Sequence, residues 1–91
     1  MFDPQRTVTD RGFVIVTFAD ANGDRCSLQQ SSAILAGTEG AHERPGSSGL
    51  WLGLVEPRSP KLASPRMHLD RERVEWLVEQ LRTWLATGDL V

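Results

Sequence analysis

An α+β domain is what this 91-residue sequence predicts: a small antiparallel sheet of three or four strands with one C-terminal helix packed across it. Three observations point there. The segment 67–90 carries a helix start, an apolar face and a helix stop that agree with one another. Before it, short β-prone runs alternate with turn residues, and the order β-β-loop-β-Pro loop-β-α has no long crossover, which favours antiparallel pairing.

The helix is expected over 70–87. Asp70 suits the N-cap because its carboxylate can accept from the free N–H groups of the first turn, and Gly88 suits the left-handed position after the last turn. At about 100° per residue, Val74, Leu77, Val78, Leu81 and Leu85 fall in one arc with Trp84 on its border, so this arc is the expected core face. Trp76 points about 160° from the arc's centre and is expected on the water face, where a tryptophan either lies flat on neighbouring stems or under a loop, or marks a subunit contact or a stacking platform.

Residues 1–11 read as a lead-in with a short β-prone run at 7–9, closed by a turn at Asp10-Arg11-Gly12. The sheet is expected within 12–69. FVIVTF at 13–18 is dense in β-branched and aromatic residues, and Asn22-Gly23 after it is a strong hairpin signal, with the return strand over 24–30. A two-residue turn there sets Asp20 opposite Arg25, Ala19 opposite Cys26, Phe18 opposite Ser27 and Thr17 opposite Leu28. The core face is then Phe13, Ile15, Ala19, Cys26 and Leu28, and Val14, Val16, Phe18, Ser27 and Gln29 face the other way. The glycine-rich stretch 37–49 reads as a loop, LWLGLV at 50–55 as a central or third strand with Trp51 closing one end, and 56–65, with its prolines, as an extended connection. A brief edge strand at 66–69 completes the sheet.

Composition fixes the class of protein more than its task. The chain has the size of one domain, and its formal net charge of −2 supplies no basic field for nucleic acid. A single cysteine, Cys26, excludes an internal disulfide framework and a multi-cysteine zinc site, and no apolar run approaches the ~18 residues of a membrane span, so a cytoplasmic protein is expected. Nine of the ten basic residues are arginine, which a GC-rich genome explains as well as anion recognition does.

Chemistry is sparse. No phosphate loop, dinucleotide fingerprint, hydrolase elbow or metal-ligand pair of histidines occurs; His42 and His68 lie in unlike settings, and Cys26 on a strand face reads as an inert core residue. An enzyme, a metal site and a bound cofactor are therefore not expected. What remains is a polar cluster of Ser27, Gln29, Gln30, Ser31 and Ser32, with Arg66 and His68 before the helix. Such groups either orient a small ligand by hydrogen bonds or form the wet face of an exposed sheet.

The run Phe18-x-Asp20-x-x-Gly23-x-x-Cys26-Ser27-Leu28-Gln29-x-Ser31-Ser32, then Leu50-Trp51-Leu52-Gly53, Arg66-Met67-His68-Leu69 and Thr87-Gly88-Asp89-Leu90, resembles a widespread group of small bacteriophage proteins, over about residues 13–90. The pattern is also similar to the phage anti-defence sponge family that sequesters the cyclic ADP-ribose signal of the Thoeris system. That resemblance implies a homo-oligomer that binds a cyclic nucleotide without cleaving it, in the cytoplasm of the host cell. It carries over Ser27, Leu28, Gln29, Arg66 and Met67 as ligand contacts, with Trp51 beside them. The chain departs from the sponge pattern in its arginine-bearing lead-in and in the short, proline-rich stretch between Trp51 and Arg66. A protein-interaction or adaptor module of phage origin that uses Trp76 and loop 37–49 is the alternative reading.

Overall fold

The structure, a computed structural model, describes residues 2–33, 48–56 and 66–90. Four strands, β1 (Gln5–Val8), β2 (Val14–Ala19), β3 (Arg25–Gln30) and β4 (Leu50–Glu56), precede one helix, α1 (Arg71–Thr87). The strands form an antiparallel sheet in the order β1-β2-β3-β4, and the helix lies across one face, so the α+β class expected from sequence is the observed one. β4 is an edge strand, not a central one. Residues 66–69 form no strand, although the Ala21 amide donates to the His68 carbonyl at 2.7 Å. His42, nearly all of loop 37–49 and the proline-rich connection lie outside the described residues.

The hairpin between β2 and β3 corrects the expected register. Its loop has three residues, because the Asp20 amide donates to the Asp24 carbonyl at 2.9 Å and Gly23, at φ 86°, takes the left-handed position that lets the chain return. Thr17 therefore pairs with Ser27, and Phe18 with Cys26, one residue away from the two-residue arrangement. Such a slip exchanges the two faces of β2 relative to β3, so Cys26 and Leu28 stay on the core face while the β2 side chains change places. Val14, Val16, Phe18, Cys26 and Leu28 are buried, while Ile15 lies on the uncovered face. The β1–β2 turn is built the same way: Thr9 pairs with Phe13, Gly12 sits at φ 89°, and the Gly12 amide donates to the Thr9 carbonyl.

The helix forms where its caps place it. Asp70 accepts from the Arg73 amide at 3.0 Å and pairs with the Arg73 guanidinium at 2.8 Å, and Gly88, at φ 77°, returns its N–H to the Trp84 carbonyl. Its rotation about its axis differs from expectation. The buried line runs through Trp76, Leu77, Gln80, Leu81 and Trp84, whereas Val74, Val78 and Leu85 are 45%, 40% and 74% exposed. The cause is area: an aromatic side chain buries about 150–250 Å², so turning Trp76 and Trp84 inward outweighs an aliphatic stripe. Trp76 is accordingly not a water-face interface residue. It packs at 4.9 Å from Phe18 and 5.3 Å from Phe2, and the Arg73 guanidinium lies 4.7 Å over the Phe2 ring, which closes this end of the core.

Polar groups fix both ends of the helix on the sheet. At the start, Arg73 Nε donates to the Ala19 carbonyl at 2.6 Å, and Asp20, 1% exposed, accepts from the amides of Asn22, Asp24 and His68 at 2.9, 2.9 and 3.0 Å. At the end, the Gln30 side chain accepts from the Val14 amide and donates to the Gly88 carbonyl, at 2.7 and 2.8 Å, while Arg6 Nε donates to the Leu90 carbonyl at 3.0 Å. Leu90 completes the cluster with Val14, Val16 and Leu28.

Two outcomes follow. Trp76→Ala should cost about 2–4 kcal/mol in urea unfolding, a little under the full-core range for tryptophan because the ring is half-buried, and Leu85→Ala should stay within about 0.5 kcal/mol. The reverse ranking would restore the aliphatic arc to the core. Asp20→Asn should cost about 1–3 kcal/mol, because the amide turns a donor toward one of the N–H groups that the carboxylate now satisfies. Burial raises the Asp20 pKa, yet the three N–H donors together outweigh it and hold the group below its ordinary value. Its contribution is thus present above the unfolded value near pH 4 and lost as pH falls through the lower folded value. The asparagine variant should lose this part of the acid dependence, measured as unfolding free energy against pH.

Candidate functional site

Among the described residues the helix leaves one face of the sheet uncovered, and the strand alternation decides what stands there. From β1 to β4 that face carries Gln5 and Thr7, Ile15 and Thr17, Ser27 and Gln29, then Trp51, Gly53 and Val55. Phe13, one residue before β2, has the same parity and continues the face past its end. Here the Asp10-Arg11-Gly12 turn rises beside the sheet and sets the Arg11 guanidinium 5.7 Å over the Phe13 ring.

These elements form a hollow of about 420 Å³ lined by Thr9, Asp10, Arg11, Phe13, Gln29, Gln30, Ser32 and Trp51. Trp51 and Gln29 are register partners, so the indole, 64% exposed, stands directly beside the carboxamide. Among the described residues neither side chain has a hydrogen-bonded partner, and Arg11 makes no ion pair. The hollow therefore offers a ring to stack on, an amide that donates and accepts, and a cation whose edge is free of carboxylates, with the Asp10 carboxylate available for a donor. Its size lies in the range of small-molecule sites.

The residues singled out by sequence divide. Gln29 and Trp51 meet in the hollow. Ser27 shares their face but lies two residues, about 7 Å, further along β3. Leu28 does not join them: its side chain is fully buried under the helix, so it serves the core and not a ligand. Arg66 and Met67 precede His68, which is tied to Asp20, Ala21 and Asn22 at the β2–β3 turn. That is the other end of the sheet, about 17 Å along β3 from Gln29. The rest of the polar cluster is structural, with Gln30 bridging β2 to the helix end and the buried Ser31 hydroxyl accepting from the Ala33 amide. Arg11 and Phe13 were missed. The signal for Phe13 was its strand parity with Gln29, which only the three-residue turn reveals; nothing in the sequence placed Arg11.

No activated nucleophile appears among the described residues, and they contain no group of three or more His, Cys, Asp or Glu side chains able to hold a metal ion. Cys26 lies at zero exposure under the helix, its thiol 3.6 Å from the Asp24 carbonyl. Burial first, then the carboxylates of Asp20 and Asp24, push it up to about 11. The thiol should therefore react with Ellman's reagent at pH 8 only after denaturation; rapid labelling of the native protein would place it outside the core.

The fold and the hollow define a small α+β protein with an aromatic, amide-bearing recess on the open face of its sheet. Compared with known protein families, characterised proteins and solved structures, the chain matches none. No helix among the described residues is long and apolar enough to cross a membrane.

Proposed function

We propose that this protein is a non-catalytic binding module that captures a nucleotide on the open face of its sheet. The observation that carries the reading is the exposed Trp51 indole beside the unpartnered Gln29 amide, opposite Arg11 and Phe13 in one hollow. A base can stack on Trp51, Gln29 can bond its polar edge, and Arg11 can pair with a phosphate oxygen. A single exposed aromatic platform of this kind tolerates different bases, because each has a π-face. The resemblance to phage anti-defence sponges narrows the ligand to a cyclic nucleotide immune signal, cyclic ADP-ribose isomers among them, held without chemical change.

Ligand that binds only the folded state raises stability by RT ln(1 + [L]/Kd), about 2.7 kcal/mol at a hundredfold excess over Kd. A thermal-shift series over cyclic dinucleotides, cyclic trinucleotides and cyclic ADP-ribose isomers should thus give a rise in Tm with at least one of them. Trp51→Ala and Arg11→Ala should each abolish the shift, and Arg11→Ala should do so without lowering the Tm of the free protein, since its side chain is exposed. Ligand recovered from the denatured complex should be intact. A series with no shift, or a shift that survives both substitutions, removes the reading.

A further inference from the structure

β4 has a neighbour on one side only among the described residues, and little in its sequence blunts the free side. Leu50–Glu56, LWLGLVE, contains no proline and no basic residue, and its one irregularity is a register shift against β3 at Arg25/Cys26, confined to its C-terminal end. Both of its faces are apolar and open: Trp51 and Val55, 64% and 54% exposed, on the uncovered face, and Leu52, 42% exposed, on the helix face. The helix adds to this. Its buried line is flanked on one side by Trp76, which turns toward Phe2 at the β1 side, so the exposed Val74, Val78 and Leu85 flank it on the side of β4. Strand edge and helix flank form one apolar margin of the molecule.

We propose that this margin is where a second copy of the chain docks, β4 against β4 in antiparallel pairing, to make a continuous eight-stranded sheet. Two identical strands related by a two-fold axis pair only residues of equal parity, because the axis must stand perpendicular to the sheet. Both helices therefore lie on the same face. Centred on Gly53, the pairing sets Trp51 against Val55 of the second copy and Leu52 against Leu54, so aromatic meets β-branched residue on one face and leucine meets leucine on the other. The Val74, Val78 and Leu85 flanks of the two helices then face each other above the seam. Trp51, at about 150–250 Å² for an aromatic side chain, and five aliphatic side chains of roughly 100 Å² each, taken at these exposures, present on the order of 400 Å² per copy. The strand edge and the partly buried Leu50, Leu54 and Leu81 add to this, toward the roughly 600 Å² per partner at the low end of specific interfaces. The pairing meets Trp51 on its free side and the nucleotide hollow meets it on the β3 side, so neither proposal depends on the other.

Light scattering at micromolar concentration should give a dimer, and Leu85→Glu, at a position too exposed to disturb the fold, should weaken it on the order of tenfold or more. Gly53→Cys tests the register. An added Cβ there has no atom within 4 Å, directly opposed strand residues lie within the Cα separation of a disulfide, and the native Cys26 is buried. Mild oxidation of that variant should yield a covalent dimer whose circular dichroism matches the wild type. A monomer, a dimer unaffected by Leu85→Glu, or a dimer that Gly53→Cys fails to crosslink each overturns the pairing, and capture of a different protein on this edge by a monomeric chain does so as well.

Discussion

The carboxylate of Asp20 is the point on which the rest of the structure depends. One oxygen closes the turn by accepting from Asn22 and Asp24, and the other reaches across to the His68 amide, so a single buried group joins the β2–β3 turn to the segment that leads into the helix. Two residues beyond His68 stands the N-cap Asp70, and the guanidinium of Arg73 returns to the Ala19 carbonyl beside Asp20. The direction in which the helix leaves the turn is therefore held by hydrogen bonds as well as by the aromatic packing at this end. A buried charge is tolerable there because three backbone N–H groups donate to it. Gln30 performs the corresponding task at the far end with a neutral side chain, holding β2 and the helix C-cap together. Between these two polar ties the tryptophans fill the space.

Elements were legible in the sequence where one local signal sufficed. Asp70 and Gly88 set the helix boundaries because caps act on their own backbone, and the β-branched content of 13–18 found β2 within a residue. Orientation was not legible, because it is decided by competition. The chain offers two apolar parities on β2, Val14, Val16 and Phe18 against Phe13 and Ile15, and periodicity cannot choose between them. The helix offers an aliphatic arc and an aromatic pair. Weighing residues by kind favours the arc, whereas weighing them by area favours Trp76 and Trp84, and packing follows area. Both differences share a root: a pattern of residue identities does not carry the geometry that ranks it.

The same limit divided the candidate site. Serines and glutamines near the end of β3 form one cluster on paper, but strand alternation sends Gln29 to the open face and Gln30 into the core margin, where its amide is already committed. Polar residues adjacent in sequence thus take unrelated tasks, one available to solvent and one holding the fold. Arg66 and Met67 precede His68 at the opposite end of the sheet from Gln29 for a simpler reason, since an antiparallel sheet separates its two ends by the length of a strand. The residues that do meet come from a turn, a strand end and an edge strand, and only the folded register assembles them.

The three-residue loop of Ala21, Asn22 and Gly23 carries a consequence for how such a chain can vary over evolutionary time. Surface turns are ordinarily where insertions and deletions are absorbed, since a change of length there leaves the scaffold intact. Here the choice of turn and the facing of β2 are one variable. With the same residues, a two-residue turn at Asn22-Gly23 would pair Ala21 with Asp24 and put Phe13 and Ile15 against the helix, with Val16 and Phe18 in water and the recess dismantled. The Asp20 carboxylate, which accepts from Asn22 and Asp24 in the three-residue loop, and Gly23 at φ 86° hold the choice. Those two positions, more than the length, are the part of the turn that cannot drift.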